Sequence, residues 1–571
     1  MKKIIATLLF VNSFVVLQAQ KLENKIPNNA DVVIMANATN LFDLISVSDV
    51  NESIMGKEIL KNINRKREEK ITSVSKAGFD TASNAYYFFQ KNDSISYHTF
   101  LVELNDKALF ESMLSERDLK KIKKENDYSY IQGYSELRIW NDDVLLIING
   151  DKSRSYLKKH NDRFEKLKEE GESIYSVRKR FAQLWTKKHA FSILENSTSN
   201  GIATNSSFQK GKKKGSVATL WVRNYGMLMS DLIGSFSRNL SSSMNYFIPQ
   251  EGKNIYGVEE VTANLFFNEN NASILLDMAV SDDMSKSFKK IYNKKMSSTL
   301  INSFDHNKAL AFWSVSMDTE ELLKQYPEMI NKMYGGIVPK FKEEVDVAGD
   351  LLSLLVDEAA IAKLVTGDAL FVLNGFSEKD VTYTTYKYDA DYKRKEVTKT
   401  KKTVVPDFTL MIGSEEKELL NKIFRLGQKH KTIIASNNVY EFIKKSKELP
   451  FNIYAVIKND VLYITTSKVR AINIEAGRAN YKATKHSKLI KRNSSVVYTD
   501  INALIKNMPT EWFGRNERKM ASISKENVKD ISFRVSKVKG NKISSELRLN
   551  TKGKEENTLK LLFKVINEIA K

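Results

Sequence analysis

A short phrase that occurs twice constrains the fold of this chain more than any other feature. The first copy runs from Trp140 to Ile147 (WNDDVLLI), and the second runs from Lys458 to Ile464 (KNDVLYI). Each predicts a β-hairpin, because Asn and Asp tolerate positive φ and hydrogen-bond their own backbone, whereas Val, Leu and Ile favour a pleated, half-buried surface. A single repeat of this length can arise by chance, so its significance depends on the sequence around it.

Five sequence blocks recur around this phrase in the same order. They are a strand and a helix, two strands and a helix, the hairpin, another strand and helix, and two final strands with a helix. The first copies span 32–45, 85–114, 128–149, 217–233 and 258–291, and the second copies span 309–323, 368–423, 439–466, 495–505 and 528–569. In the first block, Asn40 is the predicted N-cap of the helix.

This recurrence predicts an α+β protein made of two homologous halves, residues 20–305 and 306–571. We expect each half to be an antiparallel or mixed sheet with helices packed on one face, in the manner of ferredoxin-like βαββα units. A chain of 571 residues without cysteine needs such large cores, because no disulfide can stabilise it.

The predicted halves differ in two places. The first carries a charged helical insertion over 151–215, which ends in a Ser/Asn/Gly-rich stretch with three consecutive lysines. The second carries alternating aromatic and basic residues from Tyr383 to Lys402. Insertions are natural places for function to be added to a scaffold, and solvated loops are the alternative interpretation.

The N-terminus has the pattern of a secretory signal peptide. Lys2 and Lys3 precede an apolar run from Ile4 to Leu17, and Ala19 offers a small residue for cleavage. We expect residues 1–19 to be removed and the protein to be exported, to the periplasm in the first instance, with an extracellular or outer-membrane-associated location as alternatives. A buried or anchoring N-terminal helix is the other interpretation, but the run is shorter than the ~20 residues that span a bilayer. No second span is expected downstream.

The chain carries a formal net charge of +21 and contains no cysteine. The lack of cysteine excludes a lipobox, disulfides and thiolate metal sites. For an exported protein, the charge favours an envelope protein, an anionic glycan or an anionic lipid as partner, or a solvated basic surface without a dedicated partner. The lysines are dispersed and lack interleaved aromatics, so nucleic acid is not an expected partner.

Catalytic and metal-binding motifs are missing from the sequence. The six histidines lie far apart, without His-Glu-x-x-His spacing, and are expected to be isolated surface or strand residues. Nucleophile-elbow, dinucleotide-binding and Walker patterns are absent, and the acidic pairs at 142–143 and 282–283 suit turns and helix starts. We therefore predict no catalytic residue, no cofactor and no metal, and a protein that is not an enzyme.

Two polar clusters are the candidate partner-binding residues. One interpretation is that tyrosines at alternating positions of one strand present a single aromatic face to a carbohydrate or a protein; the favoured interpretation is a long hairpin whose aromatics pack on their cross-strand neighbours. The candidates are Tyr383, Tyr386, Lys387, Tyr388, Tyr392, Lys393 and Arg394, together with Lys212, Lys213 and Lys214.

The start of the predicted mature chain, Ile26-Pro27-Asn28-Asn29-Ala30, followed by a strand–helix phrase up to Leu44, resembles uncharacterised exported Bacteroidota proteins of a domain-of-unknown-function family. Members open with I-P-x-[DN]-A-x-x-V, and many are lipoproteins. This chain departs from those lipoproteins in having no lipobox cysteine. The resemblance implies export and brings no catalytic residues.

These observations favour a non-catalytic exported envelope protein that serves as a binding or interaction scaffold. Two alternatives remain open. One is an envelope hydrolase whose site is assembled from distant residues, and the other is an envelope assembly or chaperone-like factor with exposed apolar grooves. The sequence does not specify an oligomeric state.

Overall fold

A computed structural model describes residues 22–65, 70–195, 200–225, 257–334, 347, 357–388, 392–443, 451–482 and 484–569. The predicted signal peptide and the helix predicted for 226–233 lie outside these residues. The chain forms two compact units. Unit 1 contains the described residues up to Tyr225, residues 260–277 and the chain from Glu555 onward; unit 2 contains the described residues of 226–259 and those from Met278 to Lys554.

Most strands alternate apolar and polar residues or carry apolar runs, as the sequence blocks predict. In chain order they are β1 Val32–Ala36, β2 Ala85–Lys91, β3 Ile95–Glu103, β4 Lys123–Glu125, β5 Tyr128–Gln132, β6 Glu136–Trp140, β7 Val144–Lys152, β8 Ala218–Arg223, β9 Val258–Phe267, β10 Asn271–Val280, β11 Ala311–Ser316, β12 Asp368–Tyr388, β13 Arg394–Gly413, β14 Ile433–Ser436, β15 Val439–Phe442, β16 Tyr454–Lys458, β17 Val461–Thr465, β18 Asn493–Asp500, β19 Val528–Ser536 and β20 Lys542–Thr551.

Helices connect these strands in both units. They are α1 Ala38–Phe42, α2 Val47–Glu52, α3 Ile54–Asn64, α4 Lys107–Ser112, α5 Glu116–Leu119, α6 Arg154–Lys159, α7 Asn161–Lys166, α8 Ile174–Glu195, α9 Ser206–Gly211, α10 Asp282–Tyr292, α11 Ser298–Asn302, α12 Thr319–Tyr334, α13 Glu358–Leu364, α14 Lys417–Lys429, α15 Lys468–Glu475, α16 Lys485–Arg492, α17 Ile501–Asn507, α18 Arg515–Asn527 and α19 Thr558–Ile569.

The strand neighbours follow the same sequence in both units. In unit 1 the order is β4-β5-β6-β7-β3-β2-β1-β8-β9-β10, and in unit 2 it is β14-β15-β16-β17-β13-β12-β11-β18-β19-β20. Within each unit, every strand pair whose residue partners are defined is antiparallel. The fold is therefore mixed α and β with extensive antiparallel sheet, and a split βαβ unit with a parallel strand pair is not among the described pairings of either unit.

The two copies of the hairpin phrase form their turns in different ways: one uses positive φ angles and the other uses a hydrogen bond from the backbone to an Asn side chain. At the β16–β17 turn, Asn459 and Asp460 adopt φ of 50° and 60°, as a two-residue hairpin turn requires. At the β6–β7 turn, the Oδ1 of Asn141 instead accepts hydrogen bonds from the backbone N–H of Asp143 at 3.0 Å and of Val144 at 2.9 Å. Both hairpins form where the sequence places them.

The first helix is capped one turn earlier than predicted. Asn37, which has extended backbone, accepts the N–H of Asn40 at 3.0 Å and so forms the N-cap of α1. Asn40 lies inside the helix, and its side-chain amide donates to the carbonyl of Ser216 at 2.7 Å. The prediction of Asn40 as cap was wrong because an N-cap needs non-helical backbone, which position 37 provides.

The insertion between β7 and β8 contributes to the core of unit 1. Helix α8 buries Ala190, Ile193 and Leu194 in the main apolar cluster, and Phe208 of α9 packs edge-to-face on Trp221 of β8. These residues are removed from water as completely as those of the strands. The interpretation of this segment as a solvated loop was therefore wrong.

Each unit is completed by a helix from a distant part of the chain. In unit 1, the Thr558 hydroxyl of α19 donates to the carbonyl of Asn268, in the β9–β10 turn, at 2.9 Å. In unit 2, the Ser285 hydroxyl of α10 donates to the carbonyl of Gly540, in the β19–β20 turn, at 2.7 Å. The helix that follows β20 thus belongs to unit 1, and the helix that follows β10 belongs to unit 2. Among the described residues, no helix is long and apolar enough to cross a membrane.

Candidate partner-binding site

The hairpin of β12 and β13 is much longer than the sheet of unit 2 requires. β11 pairs with β12 only over residues 368–373, and β17 pairs with β13 only over residues 409–413. Beyond these, residues 377–388 and 394–405, which we call the arm, have β-sheet pairing only with each other among the described residues. Twelve residues per strand give the arm a length of roughly 40 Å.

The base of the arm is held by a cluster of contacts. The guanidinium of Arg470 donates to both carboxylate oxygens of Asp407, at 2.6 and 3.1 Å. The Thr466 hydroxyl donates to the carbonyl of Pro406 at 3.2 Å, and the rings of Phe376 and Trp512 meet edge-to-face with centroids 5.5 Å apart. A bidentate arginine–carboxylate pair fixes orientation as well as distance, so the arm starts from a well-defined position.

The local sequence explains why an extended ribbon forms at this place. Both strands are rich in β-branched and aromatic residues, which suit a pleated surface. An isolated two-stranded hairpin is marginal in water, so cross-strand contacts matter. The guanidinium carbon of Arg394 lies 3.4 Å from the ring centre of Tyr386, and the Lys401 ammonium lies 5.5 Å from that of Tyr383.

The register divides the predicted tyrosines between two faces. Tyr383 lies opposite Lys399, whereas Tyr386 lies opposite Glu396 and Tyr388 opposite Arg394. Since successive residues of a strand point to opposite faces, Tyr383 is on one face and the other two are on the reverse face. The interpretation of these tyrosines as a single aromatic face was therefore wrong, because positions 383 and 386 are three residues apart and so point to opposite faces.

The same register collects lysines on the face of Tyr383. We call this the lysine face; its charged members are Lys379, Lys387, Lys395, Lys399 and Lys401. Across residues 377–388 and 394–405 it carries no acidic residue. The reverse face is mixed, since it holds Arg394 and Lys402 together with Glu378, Asp380 and Glu396.

The outer end of the arm is the most exposed part of the candidate set. Tyr388 is 67% and Tyr392 87% exposed, and Lys393 is also exposed. Tyr392 has φ of 58°, which places it in the turn region rather than on either face. The alternative of aromatics packing on their own neighbours therefore describes Tyr386 and Tyr383, each of which lies beside a cation, but not the two tyrosines at the tip.

The three lysines of the other candidate cluster belong to unit 1 and have different environments. The Lys212 ammonium donates to both oxygens of Glu23, at 2.8 and 3.0 Å, and the Glu23 side chain is only 3% exposed. The ammonium of Lys213 lies 3.8 Å from Asp277, and Lys214 is exposed. The structure therefore uses Lys212 as the ion-pair partner of a buried carboxylate, and the cluster belongs to unit 1 whereas the arm belongs to unit 2.

Two histidines that lie 180 residues apart in sequence meet in the core of unit 2. The rings of His306 and His486 are parallel, with centroids 6.2 Å apart, and both side chains are buried. Burial lowers the pKa of His486 to about 4 and also lowers that of His306. The expectation of isolated histidines was wrong for this pair, and no local pattern indicates it, because only the tertiary fold brings the residues together.

A cavity of about 600 Å³ in unit 2 lies beside the edge strand β14. Its carboxylates already have partners: Glu475 accepts the side-chain amide of Asn438 at 3.1 Å, and Glu441 accepts that of Asn452 at 2.8 Å. Among the described residues, no cluster of three or more His, Asp or Glu side chains is arranged to hold a metal ion.

Comparisons with known proteins yield only distant likenesses. No family model matches the chain, and no curated protein matches it. Two crystal forms of TP0453 align over 45% and 46% of this chain and 79% of that chain, with 12% identity and TM-scores of 0.25 and 0.24. A DNA polymerase III β subunit from Thermotoga maritima aligns over 76% of this chain and 98% of that chain, with 8% identity and a TM-score of 0.06. TM-scores this low establish neither a shared fold nor a shared function.

Proposed function

We propose that this chain is an exported, non-catalytic binding protein of a Gram-negative-type envelope, which engages its partner through the β12–β13 arm. The observation that carries the proposal is the length of this hairpin. Pairing with the neighbouring strands ends at Leu373 of β12 and at Thr409 of β13, yet 14 residue pairs follow the pair of Leu373 and Phe408, and 12 of them belong to the arm. A clamped, exposed ribbon with charged and aromatic side chains is an effective surface for a partner.

The proposed location rests on the N-terminal sequence. Residues 1–19 have the charged start, apolar run and small-residue end of a signal peptide, and residues 26–33 resemble the opening of exported Bacteroidota proteins. The proposed location is the periplasm. Deletion of residues 2–19 should move the protein from the periplasmic to the cytosolic fraction, which cell fractionation measures. An unchanged distribution would contradict export.

We further infer that the two units are copies of one ancestral unit. Support comes from the five collinear sequence blocks and from two strand orders that correspond strand for strand. In each order the repeated hairpin phrase occupies the third and fourth strands. We therefore expect other proteins to contain a single such unit, with its last helix packed on that same unit.

A shortened arm tests the proposed binding role. Replacing residues 378–404 by Asn-Gly joins Ser377 to Val405 through a two-residue hairpin turn and leaves the clamped base in place. We expect the variant to fold, with the thermal midpoint of the native chain, and to lose its partner. The partner is first identified in intact cells with a photo-crosslinking residue at Tyr388 of the full-length arm. Its co-purification with the native chain and with the shortened chain is then compared.

The matched control places the same crosslinker at Leu119, an exposed apolar residue of unit 1. A crosslinked product of raised mass from position 388, and none from 119, would support the arm as the binding element. Equal products from both positions, or none from 388, would overturn the proposal.

A further inference from the structure

The lysine face of the arm has a charge distribution that is unusual for a solvated surface. Exposed β-ribbons normally mix charges, because like charges opposite each other are unfavourable. Here Lys387 lies directly opposite Lys395, Lys399 and Lys401 follow on the same face, and that face carries no acidic residue over 377–388 and 394–405. The three carboxylates of the arm, Glu378, Asp380 and Glu396, all lie on the reverse face. The face therefore presents a row of like charges that complements an extended anion.

We propose that the lysine face binds a linear acidic polysaccharide. The inference rests on the proposed function, in that it names the chemical class of partner for the same arm. It requires only electrostatic complementarity: a row of cations that faces a row of carboxylate or sulfate groups.

The dimensions of the face fit an extended polyanion. Lysines two residues apart on one strand are about 7 Å apart, and lysines four residues apart are about 13 Å apart. The two strands are separated by about 5 Å, so the charged surface is narrow and long, with room for one polymer chain. Tyr383, opposite Lys399, adds an aromatic ring among these lysines, and an aromatic ring offers an apolar surface to the C–H face of a sugar.

Other polyanions fit this surface less well. A single-stranded nucleic acid needs a series of aromatic rings on which its bases stack, and the lysine face carries one. A lipid surface is bound most strongly when cations accompany large apolar side chains that enter the bilayer, and the uncharged members of this face other than Tyr383 are serine, threonine and valine.

A charge-matched pair of variants tests the proposal. The face variant carries K387Q, K395Q, K399Q and K401Q. The control variant carries K120Q, K121Q, K123Q and K124Q, four exposed lysines of unit 1. Each variant removes four positive charges, so both have a formal net charge of 21 − 4 = +17. Any difference between them therefore reflects position rather than total charge.

Binding is measured on immobilised polygalacturonate, a carboxylated linear polysaccharide, and on heparin, a sulfated one, at two salt concentrations. We expect the face variant to bind at least about tenfold more weakly than the native chain, with a shallower dependence of affinity on salt. The control variant should stay within about twofold. The same measurements with single-stranded DNA and with anionic phospholipid vesicles should show weaker binding and no selective loss in the face variant.

Three outcomes would overturn the inference: equal losses in both variants, tighter binding to DNA or vesicles than to the polysaccharides, or no loss in the face variant. The result is separable from that of the proposed function. If the shortened arm loses its crosslinked partner while the face variant keeps polysaccharide affinity, the arm binds a partner but not through these lysines. If the shortened arm keeps its partner, the arm itself is not the binding element.

Discussion

The β2–β3 hairpin of unit 1 and the β12–β13 hairpin of unit 2 hold the same place in their strand orders, and their lengths differ greatly. β2 and β3 contain 7 and 9 residues, whereas β12 and β13 contain 21 and 20. Their inner parts match: Phe88 lies opposite Val33 of β1, and Val372 lies opposite Phe312 of β11. The short hairpin shows how much strand a core of this kind needs, so the additional length in unit 2 has another use.

In each hairpin, the inner residues, which pair with neighbouring strands of the sheet, stabilise the unit. The outer residues of the longer hairpin do not. If this division is correct, substitutions at inner positions are costly in both units, and substitutions at the exposed positions of the arm, which exclude the buried Val405, leave stability almost unchanged.

The largest expected effect is at the paired inner positions. Phe88→Ala should lower the free energy of unfolding of unit 1 by about 3 to 5 kcal/mol, because a fully buried aromatic ring is replaced by a cavity. Val372→Ala, at the corresponding position, should cost unit 2 about 2 to 3 kcal/mol. Urea unfolding followed by tryptophan fluorescence and circular dichroism measures both. Costs below 1 kcal/mol at either position would break the correspondence.

The next effect is acid sensitivity, which both units should share. Burial lowers the pKa of His189 in unit 1 and of His486 in unit 2 to about 4, from an ordinary value of 6.5. Between these values the unfolded chain binds more protons than the folded chain, so stability is complete above pH 6.5 and is lost as the pH falls towards 4. Each histidine should contribute up to about 3 kcal/mol to this loss.

The variants His189→Phe and His486→Phe identify these contributions. Each should flatten the dependence of the unfolding free energy on pH between 6.5 and 4.5 in its own unit, above the range where most carboxylates titrate. A slope that neither variant changes would show that other groups cause the acid sensitivity.

A smaller effect is expected at the lysine cluster of unit 1. Lys212→Ala leaves the buried Glu23 carboxylate without its cation and should cost about 2 to 3 kcal/mol, less than a fully buried pair because Lys212 is 25% exposed. Lys214→Ala is the neighbouring control and should change stability by no more than about 0.5 kcal/mol, because Lys214 is exposed. If Lys212→Ala instead left stability unchanged and weakened partner binding, this cluster would regain its place as a binding site.

The smallest expected effect on stability is that of the arm. Tyr386→Ala removes the cation–π contact with Arg394, which is worth about 0.5 to 1 kcal/mol at an exposed site, and should not shift the global unfolding transition measurably. Hydrogen exchange of the arm amides should quicken while the amides of β11 and β17 stay protected. A loss of protection in β11 would show that the arm stabilises the unit after all.

Much of the local structure could be predicted from the sequence. The hairpin at Asn459 and Asp460, the strands 85–91 and 95–103, and the helix capped by Asp106 follow from turn chemistry, alternation and capping preferences, which act over a few residues. The role of α8 was not predictable in this way. Its residues are strongly charged, and the burial of Ala190 and Leu194 depends on a strand that the helix meets only in the folded chain.

The candidate site was predicted in composition and not in arrangement. The sequence marks residues 383–402 as aromatic and basic. The face on which each residue lies depends on which residues pair across the hairpin, and this register is set by the length of the turn between Tyr388 and Arg394. A register shifted by one residue would mix the lysines with Glu396 and remove the lysine face. The five lysines could be counted from the sequence, but their common face could not.

The sequence by itself determined the repeated blocks, the hairpin turns and the excess length of one hairpin, because alternation and turn preferences act between near neighbours. Only the tertiary structure decided which helix completes which unit, which histidines meet and which arm residues share a face. Those features depend on contacts between residues that are distant in the chain, and such contacts form only when the cores pack.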